Sequence, residues 1–283
     1  MNDIELKETL IDIKNNDFHV PEELSDFEAV KYVMRALHST DSDLRDDLGY
    51  TILSKWLIEF KLLDGSELIM LLKQAVSEEL LFNKISEGVS DHVFLRSFSA
   101  LLIALILYRD NHEHFISRQK YMELLQQLNH YCELENDYRS FVEGKGWAHA
   151  PAHISDALDE CAQNRFVGES ECLAIWKSLL MMLRNAPTVF DAEEDERMAT
   201  AVVSMITAKK ITVSVLLQWL HAVTLNKPNQ SVHALAFRKY LIQRVNMKHF
   251  VRCVYFRLKN AALLDQEADD ALMKLERAFN PYF

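Results

Sequence analysis

The sequence predicts an all-α protein, and three observations carry that expectation. Turn formers are scarce: six Gly and five Pro make 11 of 283 residues, about 4%, where average usage gives roughly 12%. A sandwich or barrel needs turn residues at short regular intervals, and a doubly wound α/β fold needs glycine in its βα loops. Hydrophobic residues, 49% of the chain, are enough for a large core and recur with helical spacing. The connections HSTDSD, LDG, SEGVSD, NAPTVFDAEED and NKPNQ are short and polar.

The N-terminal stretch MNDIELKETLIDIKNNDF is acidic and amphipathic. Pro21 then opens a helix through PEELSDFEAVKYVMRALHS, in the first-turn position proline favours. Further helices are predicted at about 43–62, 66–82, 91–109, 113–133, 151–164, 170–185, 193–208, 211–224, 231–259 and 266–278. No long linker divides them, so one domain over 1–283 is expected.

A weak internal repeat suggests how the helices stack. SDLRDDLGYTILSKWL, HVFLRSFSALLIALIL, NDYRSFVEGKGWAHAPAH and EDERMATAVVSMITA each place an Arg before an apolar run. Arg45, Arg96, Arg139 and Arg197 are spaced by 51, 43 and 58 residues, near the repeat of about 40–47 in HEAT-type helix pairs. Such pairs bury their apolar faces only against neighbours and line one surface with equivalent helices. The expectation is a HEAT-like α-α superhelix in which Arg45, Arg96 and Arg139 point into one anion-binding groove. The alternative is that each Arg bonds an acid or carbonyl of its own surroundings.

The amino terminus lacks the basic start and apolar core of a secretory signal. The longest apolar stretch, Phe98 to Tyr108, is shorter than the roughly 20 residues of a spanning helix. Cys132, Cys161, Cys172 and Cys253 lie far apart with no C-x-x-C pair, as core thiols of a reduced cytoplasmic protein would. A soluble, cytoplasmic protein without a membrane span is expected. Net charge is −11, yet from Met198 to Leu264 there is no acid beside ten basic residues. Arg244, Lys248 and Arg252 recur at i, i+4, i+8 and share one helical face. That face either sits in water or against acidic parts of the chain, or it attracts an acidic protein surface. Nucleic acid is not expected, because the overall charge repels phosphate and no recognition module appears.

Residues 137–160, DYRSFVEGKGWAHAPAHISDALDE, stand out. Gly144 and Gly146 flank Lys145, and glycine permits backbone at positive φ or close to another group. His149, His153, Asp156 and Glu160 would share a helical face. Pro151 places the helix start near Ala150 and leaves His149 on the loop beside Trp147. Two functional readings follow, next to a purely structural network. In one, Arg139, Lys145 and Trp147, with Arg45 and Arg96, bind an anionic small molecule. In the other, His149 and His153, tuned by Glu143 or Asp156, do acid–base or metal-assisted hydrolytic chemistry, with His149, His153 and Asp156 as ligands of a divalent metal. H-x-x-x-H without a neighbouring Glu is not the zinc-protease signature. No phosphate loop, nucleophile elbow or kinase signature occurs, and no cofactor is expected.

The segments DLRDDLGYTIL at 43–53, FLRSFSALLIALIL at 94–107 and RSFVEGKGWAHAPAHISDAL at 139–158 resemble the bacterial domain of unknown function 2785. The run Gly144-Lys145-Gly146-Trp147-Ala148-His149, with Ala152, His153 and Asp156, is the most specific part of the resemblance, which extends over nearly the whole chain. It implies a bacterial intracellular protein and supplies no catalytic residue.

Overall fold

The computed structural model describes residues 3–229 and 234–280. The protein is all-α apart from a two-stranded hairpin. Twelve α-helices are formed among the described residues: α1 (Asp3–Asn15), α2 (Asp26–Val33), α3 (Thr51–Ser54), α4 (Gly65–Ala75), α5 (His92–Glu113), α6 (Arg118–Leu134), α7 (Ala150–Gln163), α8 (Glu169–Asn185), α9 (Glu194–Thr207), α10 (Val213–His221), α11 (Ala234–Asn260) and α12 (Gln266–Phe279). The strands β1 (Phe141–Val142) and β2 (Gly146–Trp147) lie between α6 and α7. The chain divides into two compact units, Met1–Glu160 and Cys161–Phe283.

In the first unit, Pro21 does not open a helix. Residues 21–25 form turns, and α2 starts behind Ser25, whose hydroxyl accepts from the Glu28 N–H while the Glu28 carboxylate accepts from the Ser25 N–H. This reciprocal cap satisfies two end donors that Pro21 leaves alone, so it sets the start. The helix expected at 43–62 is wound unevenly, with π-helical turns over Asp43–Tyr50 and Lys55–Glu59 on either side of α3. Gly49 packs against Ala36 of the 3₁₀ segment Met34–His38, where a Cβ would stand 2.7 Å from the Ala36 Cβ. That close approach requires glycine.

Helix α5 is the axis of this unit and packs on α4, Met34–His38 and Lys55–Glu59. Its side chains from Ala100 to Leu107 are all buried, each aliphatic one contributing roughly 1.5–3 kcal/mol. Among the described residues it is the one helix long and apolar enough to cross a membrane, but 78% of its apolar window is buried inside the protein. The helix extends well beyond the apolar run at 98–108, so burial, rather than length, marks it as a core helix. Arg109 donates to the carbonyls of Leu57 and Leu63 and pairs with Glu113, tying α5 to the end of Lys55–Glu59.

In the second unit, α11 packs against α8, α9 and α12. Met247, Phe250, Val251, Val254 and Leu258 face its interior. Buried Asn246 accepts from the Phe190 N–H and donates to the Thr188 carbonyl, fixing the loop before α9. Positions 231–233, where the sequence places the start of α11, lie outside the described residues. No disulfide forms among the described residues; Cys132, Cys161 and Cys172 are buried and Cys253 is half-buried.

Candidate functional site

The unusual segment folds as a hairpin. Strands β1 and β2 pair antiparallel, with Phe141 opposite Trp147 and Val142 opposite Gly146. The turn Glu143-Gly144-Lys145 closes with the Lys145 N–H donating to the Val142 carbonyl. Gly144 and Gly146 have φ of +74° and +78°, as the sequence expects of backbone bent sharply. The pairing continues beyond the strands: the Ala148 N–H donates to Ser140 and the His149 N–H to Arg139. His149 sits at φ +49° immediately before α7, and its carbonyl accepts from Ala152 and His153.

One buried cation and two half-exposed ones tie down this hairpin. Arg45 has no exposed side-chain surface; Nη2 donates to the Lys145 carbonyl at 2.8 Å, and Nη1 to the Ser39 carbonyl at 2.8 Å. Its guanidinium lies over the rings of Phe94 and Phe98, and Nε approaches Asp46 at 2.7 Å. Burial pushes the Arg45 pKa down, with Asp46 only partly offsetting it, and the same burial raises the Asp46 carboxyl to about 6. Arg139 grips buried Asp137 through Nε and Nη2 and donates to the Ser90 carbonyl at 2.8 Å. Lys145 pairs with Asp91 at 2.5 Å.

Arg96 lies apart from the hairpin turn. It is fully buried and forms a bidentate pair with Glu135, Nε to Oε2 at 2.7 Å and Nη2 to Oε1 at 2.9 Å. Burial alone would lower its pKa, but the bond and charge of Glu135 outweigh that and hold it above the ordinary value. Of the cations expected to line an anion groove, Arg139 and Lys145 reach solvent, with 32% and 39% of their side chains exposed. Arg45 and Arg96 are interior.

The outer face of the hairpin is aromatic. Phe141 is 59% exposed and Trp147 41%. They meet edge-to-face with centroids 5.1 Å apart, and the Trp147 ring stacks on His149 at 4.9 Å. His149 and His153 stand 5.5 Å apart, and His153 in turn meets Phe98 at 5.0 Å. Both imidazoles are buried, whereas Glu143 is exposed at the turn. Asp156 lines a separate cavity. Among the described residues, no group of three or more His, Cys, Asp or Glu is placed to hold a metal ion.

That cavity, about 360 Å³, is bounded by Tyr50, Leu101, Tyr108, Asp156, Asp159 and Glu160. Helical spacing relates Asp156 and Glu160; nothing in the sequence signals Tyr50, Tyr108 or Asp159. Burial pushes the Glu160 carboxyl up to about 7, although the Asn111 amide donates to it at 2.9 Å and pulls the other way. The folded state therefore holds this proton more tightly than the unfolded chain, where a Glu titrates near ~4.3. Its contribution to stability is present at acid pH and is lost as pH rises through about 7. We expect urea unfolding at pH 8 to show a deficit relative to pH 5 of up to about 3 kcal/mol from this group. Glu160→Gln should remove that part of the slope, and equal slopes in the two proteins would refute the assignment.

A family model described as protein of unknown function, DUF2785, matches residues 81–256, more than half of the chain and less than the resemblance suggested, since 43–53 falls outside it. Neither the curated proteins nor the solved structures contain a match.

Proposed function

The chain belongs to the DUF2785 family, proteins of unknown function, and on that premise we propose that it is a binding module whose contact surface is the clamped hairpin. One observation carries this reading: buried Arg45 holds the Lys145 carbonyl of the hairpin turn and half-buried Arg139 ties the base of the hairpin to the Ser90 carbonyl, while Phe141 and Trp147 are left exposed. Exposed aromatics on a rigid frame lose little conformational entropy on binding, and Trp is among the residues most enriched at interface centres. Arg139 and Lys145 reach solvent beside this surface in sequence but are paired with Asp137 and Asp91, so an anionic group of the partner, on a small molecule or an acidic protein surface, would compete with those carboxylates for them. Arg45 and Arg96 then act as positioning residues. The reading includes one HEAT-like array over 1–283 and a cytoplasmic location, which solution scattering and cell fractionation test.

The test compares the protein with Phe141→Ala/Trp147→Ala, using partners crosslinked in the native host. Truncating an interface centre costs about 2 kcal/mol or more, roughly thirtyfold in affinity. A partner recovered by the parent and lost with the variant, at unchanged melting temperature, is the expected result. An identical set of partners for both proteins would overturn the reading.

A second reading, an acid–base enzyme, draws on a different observation. A carboxyl that titrates near neutrality in a cavity is suited to proton transfer, and Glu160 beside Asp156 fits that description. The buried pair His149 and His153, at the start of α7 behind Trp147, does not line this cavity. The metal-assisted version with His149, His153, Asp156 and Glu143 is tested by metal analysis of the purified protein and by melting with and without EDTA.

A further inference from the structure

The second unit carries a basic stripe that ends in an apolar pocket. Arg244, Lys248, Arg252 and Phe256 follow one another at four-residue steps along α11, so they form one ridge. Arg257 and Lys259, nearby on the same helix, are each paired with an acid, Glu196 and Asp269. Arg252 pairs with Glu276 of α12 at 2.6 Å. Arg244 and Lys248 have no ion pair among the described residues, and the enclosed Arg244 Nε has no hydrogen-bond partner there. Burial and the charges of Arg252 and Arg244 push the Lys248 pKa down, against a weaker pull from Glu276. The ridge therefore holds more positive charge than its surroundings neutralise, and an external carboxylate would relieve that repulsion.

At the end of the ridge, α11 and α12 enclose a pocket of about 480 Å³. Phe256, 60% exposed, and Met273, 38% exposed, form its apolar walls, with Leu272 behind them and Arg252 and Arg277 at its rim. Single exposed apolar residues are ordinary, but here an apolar slot between two helices continues, past the paired Arg252, into Lys248 and Arg244, which have no ion pair among the described residues. A groove of this kind takes an amphipathic helix, with apolar anchors in the slot and complementary charge along the ridge.

We propose that this face docks an acidic amphipathic segment of a partner protein, an apolar side chain entering between Phe256 and Met273 and carboxylates lying along Lys248 and Arg244. Nucleic acid fits less well, because Glu276 lies in the pocket and the whole chain is at −11. The surface is independent of the hairpin, so the two readings stand or fall separately.

The probe is a short fluorescein-labelled helical peptide of glutamates and leucines, titrated into the full chain and followed by anisotropy. Two control peptides carry Gln for every Glu, or Ala for every Leu. We expect saturable binding that weakens as salt rises and is at least tenfold weaker for either control. Arg244→Glu/Lys248→Glu, and separately Phe256→Ser, should each weaken the parent peptide at least tenfold without moving the melting temperature. Loss of this binding in Phe141→Ala/Trp147→Ala, with Arg244→Glu/Lys248→Glu binding like the parent, would place the peptide on the hairpin and overturn the proposal. The proposal is overturned if the peptide does not bind, if it binds all these proteins alike, or if single-stranded RNA or anionic vesicles compete through the same residues more strongly than the peptide. A variant that fails to fold is replaced by Lys248→Gln, which removes charge without reversing it and should still weaken binding severalfold.

Discussion

Arg96→Met is expected to destabilise the protein by about 3–5 kcal/mol, the range for removing one partner of a buried ion pair. Glu135 is what makes the loss so large. Its carboxylate also accepts from the Tyr131 hydroxyl and from the Asn136 and Asp137 N–H groups, so it cannot turn toward solvent when Arg96 is gone. The Asn83 carbonyl loses its donor as well. Methionine fills most of the volume, which isolates the electrostatic part. Denaturant unfolding of Arg96→Met, Glu135→Gln and the double variant checks the argument. The double variant should recover a substantial part of the loss, because it no longer buries an uncompensated charge. Additive losses, or a single-variant loss below about 1 kcal/mol, would contradict a structural role for the pair.

Gly146→Ala is expected to cost about 2–4 kcal/mol, as left-handed backbone strain and overpacking combine. A Cβ at φ +78° would stand 2.6 Å from the Ser42 Cβ and 3.1 Å from the Arg45 Nη2. To relieve this the hairpin must lift from Arg45, the residue that holds its Lys145 carbonyl. Gly144→Ala is the matched control. It has nearly the same φ, but nothing lies within 4 Å of its added Cβ, so it should cost only about 1–2 kcal/mol of backbone strain. Hydrogen exchange adds a local readout, because the Ala148 and His149 amides are bonded within the hairpin. In Gly146→Ala these amides should lose protection before the rest of the first unit does. Equal costs for the two substitutions would mean that close approach to Arg45 does not constrain the turn.

Much of this was legible in the chain because composition acts globally. Few Gly and Pro exclude sheet-rich folds wherever they fall, and the exceptional Gly-Lys-Gly run marks the hairpin, the one place among the described residues where strands form. Side-chain environment is set by long-range packing and was less legible. Arg45 and Arg96 are conspicuous in sequence, but an arginine that spans an interior and one that faces a groove leave the same local pattern. Their partners, the Lys145 carbonyl and Glu135, lie 100 and 39 residues away. Pro21 misled for a related reason: proline permits a helix start, whereas the reciprocal bonds of Ser25 and Glu28 create one. The cavity at Glu160 draws Tyr50, Leu101 and Tyr108 from distant parts of the first unit, so no local spacing announces it.

The enclosed sulfhydryls have a practical consequence. Burial pushes the Cys132 thiol well above its ordinary pKa and raises Cys172 to about 12, so neither is a nucleophile in the native protein. Alkylation of either must wait for the surrounding packing to come apart. Because Cys132 lies in Met1–Glu160 and Cys172 in Cys161–Phe283, the rate at which each takes up a maleimide is a clock for the opening of its own half of the molecule, with no engineered label.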